Sequence, residues 1–164
     1  DSTIDTVISI MTKNFEGKYK TLDTSKSNFS KEEIVTLASL IEREAKHSDD
    51  RPLVSSVIHN RLDLGMKLDI DATLQYALGF QPDEKRWWKK SLTNDDKKVN
   101  SPYNTYTRAG LPPGPISNPG LESLKAAVAP ADTSYLYYIT DSNGTNRYAK
   151  TLAEHEENIS KYGL

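Results

Sequence analysis

Apolar side chains recur at helical spacing along much of the chain. Ile4, Val7, Ile8 and Met11 predict a helix over residues 3 to 16 behind a Ser2/Thr3 cap. A polar connector, YKTLDTSKSN, follows. SKEE then supplies a capping box, Ser30 with Glu33, that opens a second helix running to about Lys46. HSDDRP restarts the chain with Asp caps and an early proline. From there Leu53, Val54, Val57, Ile58 and Leu62 form an apolar stripe that ends at Gly65. A short helix, DATLQYAL, is expected next, capped by Asp71 and stopped by Gly79.

The pattern then changes. Residues 80 to 100 are mixed-charge and aperiodic, which predicts an exposed excursion with one turn of helix at DEKRWWKK. Residues 101 to 120, SPYNTYTRAGLPPGPISNPG, are dense in proline yet hold two tyrosines and an isoleucine. This is the composition of a stiff, shaped loop, because proline fixes φ. LESLKAAVAP reads as a helix closed by Pro130, and YLYYIT, DSNG and NRYAK as a β-hairpin around an Asn-Gly turn. TLAEHEENISKYG opens with a second capping box, Thr151 with Glu154, and ends at Gly163. The expected class is α+β: several helices packed around a small antiparallel, hairpin-based sheet.

Composition narrows what such a body can do. At 164 residues it can bury a core as one domain. A net charge of −2 gives no field to collect nucleic acid or anionic lipid, and no apolar run approaches the roughly 20 residues of a spanning helix. With no cysteine, thiol nucleophiles and disulfide frameworks are excluded.

The chemistry centres on LASLIEREAK. Neighbours on a helix lie three, four and seven residues apart, so Glu44 has Ile41, Leu40 and Leu37 behind it, whereas Glu42 has Ser39, Ala38 and Val35. Glu44 also falls in the last helical turn, where the negative end of the helix disfavours an anion. Burial and the helix end both push its pKa upward, as a general acid requires. The spacing equally allows Glu44 to reach solvent or to pair with Arg43, Lys46 or Arg51.

Other candidates are less specific. Asp69 and Asp71 offer a metal ligand or a second carboxylate, although Asp71 also suits a helix cap. His47, His59 and His155 share no ligand spacing. Trp87 and Trp88 could stack on sugar rings or pack the excursion onto the body. YNTY before GLPPGPI supplies amides and hydroxyls on a rigid backbone, suited to a substrate rich in hydroxyls and acetamides or to a loop that caps the core.

LASLIEREAK, VSSVIHNRLDLGMKLDIDATLQYALG, SPYNTYTRAGLPPGPISNPGLESLKAAVAPADTSYLYYIT and LAEHEENI, in that order, resemble the YceG-like family of membrane-anchored endolytic murein transglycosylases. The resemblance covers about residues 31 to 162. It implies a lytic transglycosylase that cuts the β-1,4 bond between N-acetylmuramic acid and N-acetylglucosamine and leaves 1,6-anhydro ends. The family's essential acid is the second glutamate of E-[KR]-E, here Glu44. Position 45 is alanine where some members carry a hydroxyl. Asn60, Asn104 and Tyr106 are the candidates for holding the N-acetyl group and sugar hydroxyls, with Asp71, Gln75, Tyr103 and Thr105 lining the groove. No cofactor and no metal are implied. Implied partners are peptidoglycan glycan strands, with penicillin-binding and elongation proteins, and no nucleic acid. The resemblance further implies a membrane anchor outside these residues and a place on the extracytoplasmic face. Residues 1–30 then read as helix and linker, and 31–164 as the catalytic domain. A hydrolytic muramidase and a non-catalytic glycan-binding module are the competing readings.

Overall fold

A computed structural model describes residues 3–162. Among the described residues, six α-helices and one two-stranded antiparallel sheet give the expected α+β class. Its centre is the helix α2, Lys31–Glu44, with Leu37, Ala38, Ser39, Leu40 and Ile41 all buried. The capping box forms as the sequence suggests: Glu33 N–H donates to Ser30 Oγ, and Ser30 N–H to Glu33 Oε2. α2 stops at Glu44, two residues short of Lys46, because Ala45 turns to an extended conformation.

Around α2 pack α3 (Arg51–Asp63), α4 (Asp71–Leu78) and α5 (Leu121–Val128), and α1 (Ile4–Tyr19) packs on α5. α1 runs three residues beyond the predicted end; Thr3 caps it, while Ser2 lies outside the described residues. α1 joins the core through Phe15 and Tyr19. Two aspartates expected as caps do other work. Asp50 makes no capping bond to α3 and accepts from Tyr148 Oη at 3.0 Å. Asp71 makes none to α4, whose cap position is Ile70.

The hairpin, β1 Tyr137–Thr140 and β2 Asn146–Ala149, stands at the side of this bundle, since strands of four residues are too short to organise a core. Tyr138 pairs with Tyr148, and Ile139 with Arg147. The connection is a five-residue loop rather than a two-residue Asn-Gly turn. Asp141 accepts from Asn143 and Thr145 N–H within it, and Gly144 takes φ +80°. α6, Leu152–Tyr162, covers the hairpin behind its Thr151/Glu154 capping box; its predicted end, Gly163, lies outside the described residues.

The excursion holds no helical turn at DEKRWWKK. It folds back through a Gln81–Arg86 bridge and adds a 3₁₀ turn at Asp96–Lys98. An internal Lys89–Asp96 ion pair tightens it, and Gln75 Nε2 donates to Lys89 O at 2.9 Å. Trp88 lies under the Arg43 guanidinium at 4.1 Å and so packs the segment onto the body, while Trp87 stays exposed against Phe80.

Candidate functional site

Helical spacing sends the two glutamates of α2 to different tasks. The Glu42 carboxylate accepts from Gly120 N–H at 3.0 Å and Ser123 Oγ at 2.7 Å, so it caps α5 from another helix. Burial raises its pKa, but these hydrogen bonds and Arg51 outweigh that and hold it below the usual carboxylate value.

Glu44 opens on a cleft of about 760 Å³. Val57, Ile58, Leu68 and Ile70 make the cleft floor. One wall is polar, with Asp69, Asp71, Tyr106 and Lys97; another comes from β1 and α6. Glu44 is half-buried and faces this space. Tyr138 Oη donates to Glu44 Oε2 at 2.7 Å. Burial raises the Glu44 pKa above its ordinary value; the Tyr138 hydrogen bond opposes this, the Asp71 charge adds to it, and the Ala72 amide and Arg43 pull weakly the other way. Desolvation wins. The Tyr138 phenol is itself pushed well above its ordinary value, by burial first and then by Glu44, so it serves as a hydrogen donor and not as an acid.

Asp71 and Tyr106 meet in the polar wall, where Tyr106 Oη donates to Asp71 Oδ1 at 2.6 Å and Lys97 sits over the Tyr106 ring at 4.9 Å. The wall is built by two loops that dock on each other. Thr105 Oγ1 accepts from Ile70 N–H at 3.0 Å, and Asp69 N–H donates to Thr105 O at 3.3 Å. Arg61, almost fully buried, rivets the wall to the hairpin: its Nε donates to Leu136 O, and its Nη1 to Lys67 O, Leu68 O and Asp69 Oδ2.

Of the predicted catalytic and substrate-binding residues, Glu44, Asp71 and Tyr106 share this cleft, and Asp69 and His155, the less specific candidates, line it too. Asn60, Gln75, Tyr103, Asn104 and Thr105 do not line it. Asn104 is fully buried, its Nδ2 donating to Lys97 O and Val99 O and its Oδ1 accepting from Tyr106 N–H, so it shapes the loop that presents Tyr106. Thr105 is consumed by the loop docking just described. Asn60 Nδ2 donates to Thr133 O and Tyr135 O at 2.9 Å each, which anchors the lead into β1. Gln75 ties α4 to the excursion and accepts from Arg43. Tyr103 packs on Tyr76 at 4.7 Å.

Sequence reading missed Tyr138, Arg61 and Lys97. Alternation along YYIT signals that one tyrosine of the pair faces inward, but not that it meets a helix 94 residues away. Sequence also found no convincing carboxylate to partner Glu44. The structure brings Asp71 close enough for its charge to act on Glu44. Among the described residues no group of three His, Asp or Glu is placed to hold a metal ion.

Comparison with known proteins follows the same lines. Residues 1–161 match the model of the YceG-like family, which therefore takes in the N-terminal helix as well. The chain is 39% identical over 165 residues to an endolytic murein transglycosylase of Bacillus subtilis, covering 99% of this chain and 44% of that protein. It is 32% identical to one of Streptococcus pneumoniae (strain D39), covering 99% of this chain and 29% of that protein. A crystal structure of a yceG-like protein from Listeria monocytogenes superposes with a TM-score of 0.72 at 38% identity, over 88% of this chain and 42% of that one. The chain thus spans less than half the length of the relatives it matches.

Proposed function

The chain belongs to the YceG-like family, and from that premise we propose that its cleft cleaves the β-1,4 bond between N-acetylmuramic acid and N-acetylglucosamine in peptidoglycan glycan strands, leaving 1,6-anhydromuramyl ends. One observation carries this reading: a glutamic acid whose burial favours the protonated form, oriented by a phenol and open to a cleft.

Glu44, protonated, gives its proton to the glycosidic oxygen as the bond to the muramoyl C1 breaks and positive charge grows there. The resulting carboxylate takes the proton of the C6 hydroxyl, whose oxygen closes on C1. The acid is regenerated within one turnover, and no water enters the product. Tyr138 holds Oε2 throughout, which fixes the rotation of the carboxyl. Tyr106, Asp71 and Lys97 present hydroxyl, carboxylate and ammonium groups to the sugar hydroxyls and acetamides. Proposed placement follows the family: an extracytoplasmic enzyme anchored by a segment outside these residues, working beside penicillin-binding and elongation proteins. Among the described residues no helix is long and apolar enough to cross a membrane.

Asp71 favours a second reading. Glycosidases that use water employ two carboxyl groups, and Asp71 stands in the same cleft as Glu44. A muramidase would deliver a water to C1 where the first mechanism delivers O6. Mass spectrometry of products from uncrosslinked strands separates them: anhydro ends are one water lighter than reducing ends. Anhydro ends are the expected product; reducing ends would replace the transglycosylase with the muramidase.

A further inference from the structure

The walls of the cleft differ in chemistry. Opposed to the polar groups of Asp71, Tyr106 and Lys97 in character is the surface formed by α6 and β1. Leu152, His155 and Ile159 stand at positions i, i+3 and i+7 of α6, on one face, and all three line the cleft together with Ile139. Leu152 is 54% and Ile159 47% exposed. These two aliphatic side chains therefore keep about half their surface exposed in the cleft that Glu44 also lines, an arrangement that folding alone does not favour.

Resting on the proposed muramoyl substrate, we propose that this apolar wall seats the lactyl-peptide arm of the sugar being cleaved, so that the enzyme distinguishes strands that carry stem peptides from bare ones. The reason lies in the covalent structure of the substrate. The arm is borne on C3 of the same ring whose C1 is attacked, two ring bonds away, so a muramoyl C1 held at Glu44 brings the arm into the same cleft. Its first groups are a lactyl methyl and an alanine methyl. A glycan backbone covered in hydroxyls has little to gain from Leu152, Ile139 and Ile159, whereas these methyls do. The lactyl methyl is common to both strands, so it is the alanine methyl, moved from water onto such a surface, that favours the peptide-bearing strand, roughly fourfold.

The test compares kcat/KM on uncrosslinked strands carrying stem peptides with the same strands stripped of peptide by an amidase, for the wild type and for the double variant Leu152→Ser, Ile159→Ser. The amidase leaves the lactyl group in place, so the wild type is expected to prefer peptide-bearing strands about fourfold and the variant to bring the ratio near one. A role confined to stability would lower both values and leave the ratio unchanged, and that result overturns the proposal, as does a wild-type ratio of one or less. Binding of short peptide-bearing and stripped oligosaccharides to the Glu44→Gln variant gives a second ratio that needs no turnover. If the wild type cleaves neither strand, the proposed function fails and this binding ratio alone decides: a preference for the peptide-bearing ligand sustains the arm site, and equal binding removes it.

Discussion

Glu42 and Glu44 show how two identical side chains on one helix acquire opposite proton affinities. Glu42 finds donors that favour its charge; Glu44 finds one phenol, a neighbouring carboxylate and burial that disfavours charge. The folded pKa of Glu44 lies above its ordinary value of 4.5, so its contribution to stability is greatest below that value and fades as pH rises through the folded pKa. Glu44→Gln, which cannot ionise, should therefore melt a few degrees above the wild type at pH 7 to 8, the gap closing as pH falls toward 4. Thermal denaturation across pH checks this, and an unchanged or lower melting temperature at neutral pH would count against a strained carboxylate. Tyr138→Phe removes a hydrogen bond that favours the ionised form. The Glu44 pKa should rise further and carry the alkaline limb of the pH–rate profile to higher pH, while the maximal rate falls roughly tenfold with the loss of orientation. A limb that stays in place would separate Tyr138 from the acid.

Elements explain what the residues cannot. α2 ends at Glu44 because Ala45 leaves the helix, and α5 begins where Glu42 accepts the Gly120 amide and the Ser123 hydroxyl, so one helix both carries the candidate acid and caps a second helix. Glu42→Ala should cost about 1–2 kcal/mol in urea denaturation, the worth of a helix cap, without lowering the rate per folded molecule. Signals of this range were partly legible in the sequence. The Ser30/Glu33 and Thr151/Glu154 boxes, the apolar neighbours of Glu44 and the hairpin strands are local patterns, and all were readable. Asp50 and Asp71 misled because an aspartate before a helix looks the same whether it caps or reaches across the fold to a tyrosine. Asn60 and Asn104 misled for a related reason: an amide suited to a sugar acetamide is equally suited to backbone carbonyls, and buried backbone must be satisfied.

On the scale of the molecule, the site is a junction. Glu44 comes from the end of α2, its phenol from a strand 94 residues later, and the polar wall from two loops pinned to the hairpin by Arg61. None of these meetings has a local signature, which is why Glu44 was legible as a candidate while its surroundings were not. α1 is joined to this body by its C-terminal half. Phe15 packs on the core whereas Ile8 is 55% exposed, so Phe15→Ala should cost about 2 kcal/mol and Ile8→Ser less than about 0.5, as read by denaturant melts. Equal losses would mean that the apolar face of α1 is covered.

Everything converges on one carboxyl group. Cleavage and binding of uncrosslinked glycan strands should be measured side by side for the wild type and Glu44→Gln. Loss of a proton donor that also serves as the base should lower kcat/KM by at least about a thousandfold, with strand affinity kept within a few-fold. A Glu44→Gln protein that still cleaves within tenfold of the wild type would show that the proton comes from elsewhere in the cleft.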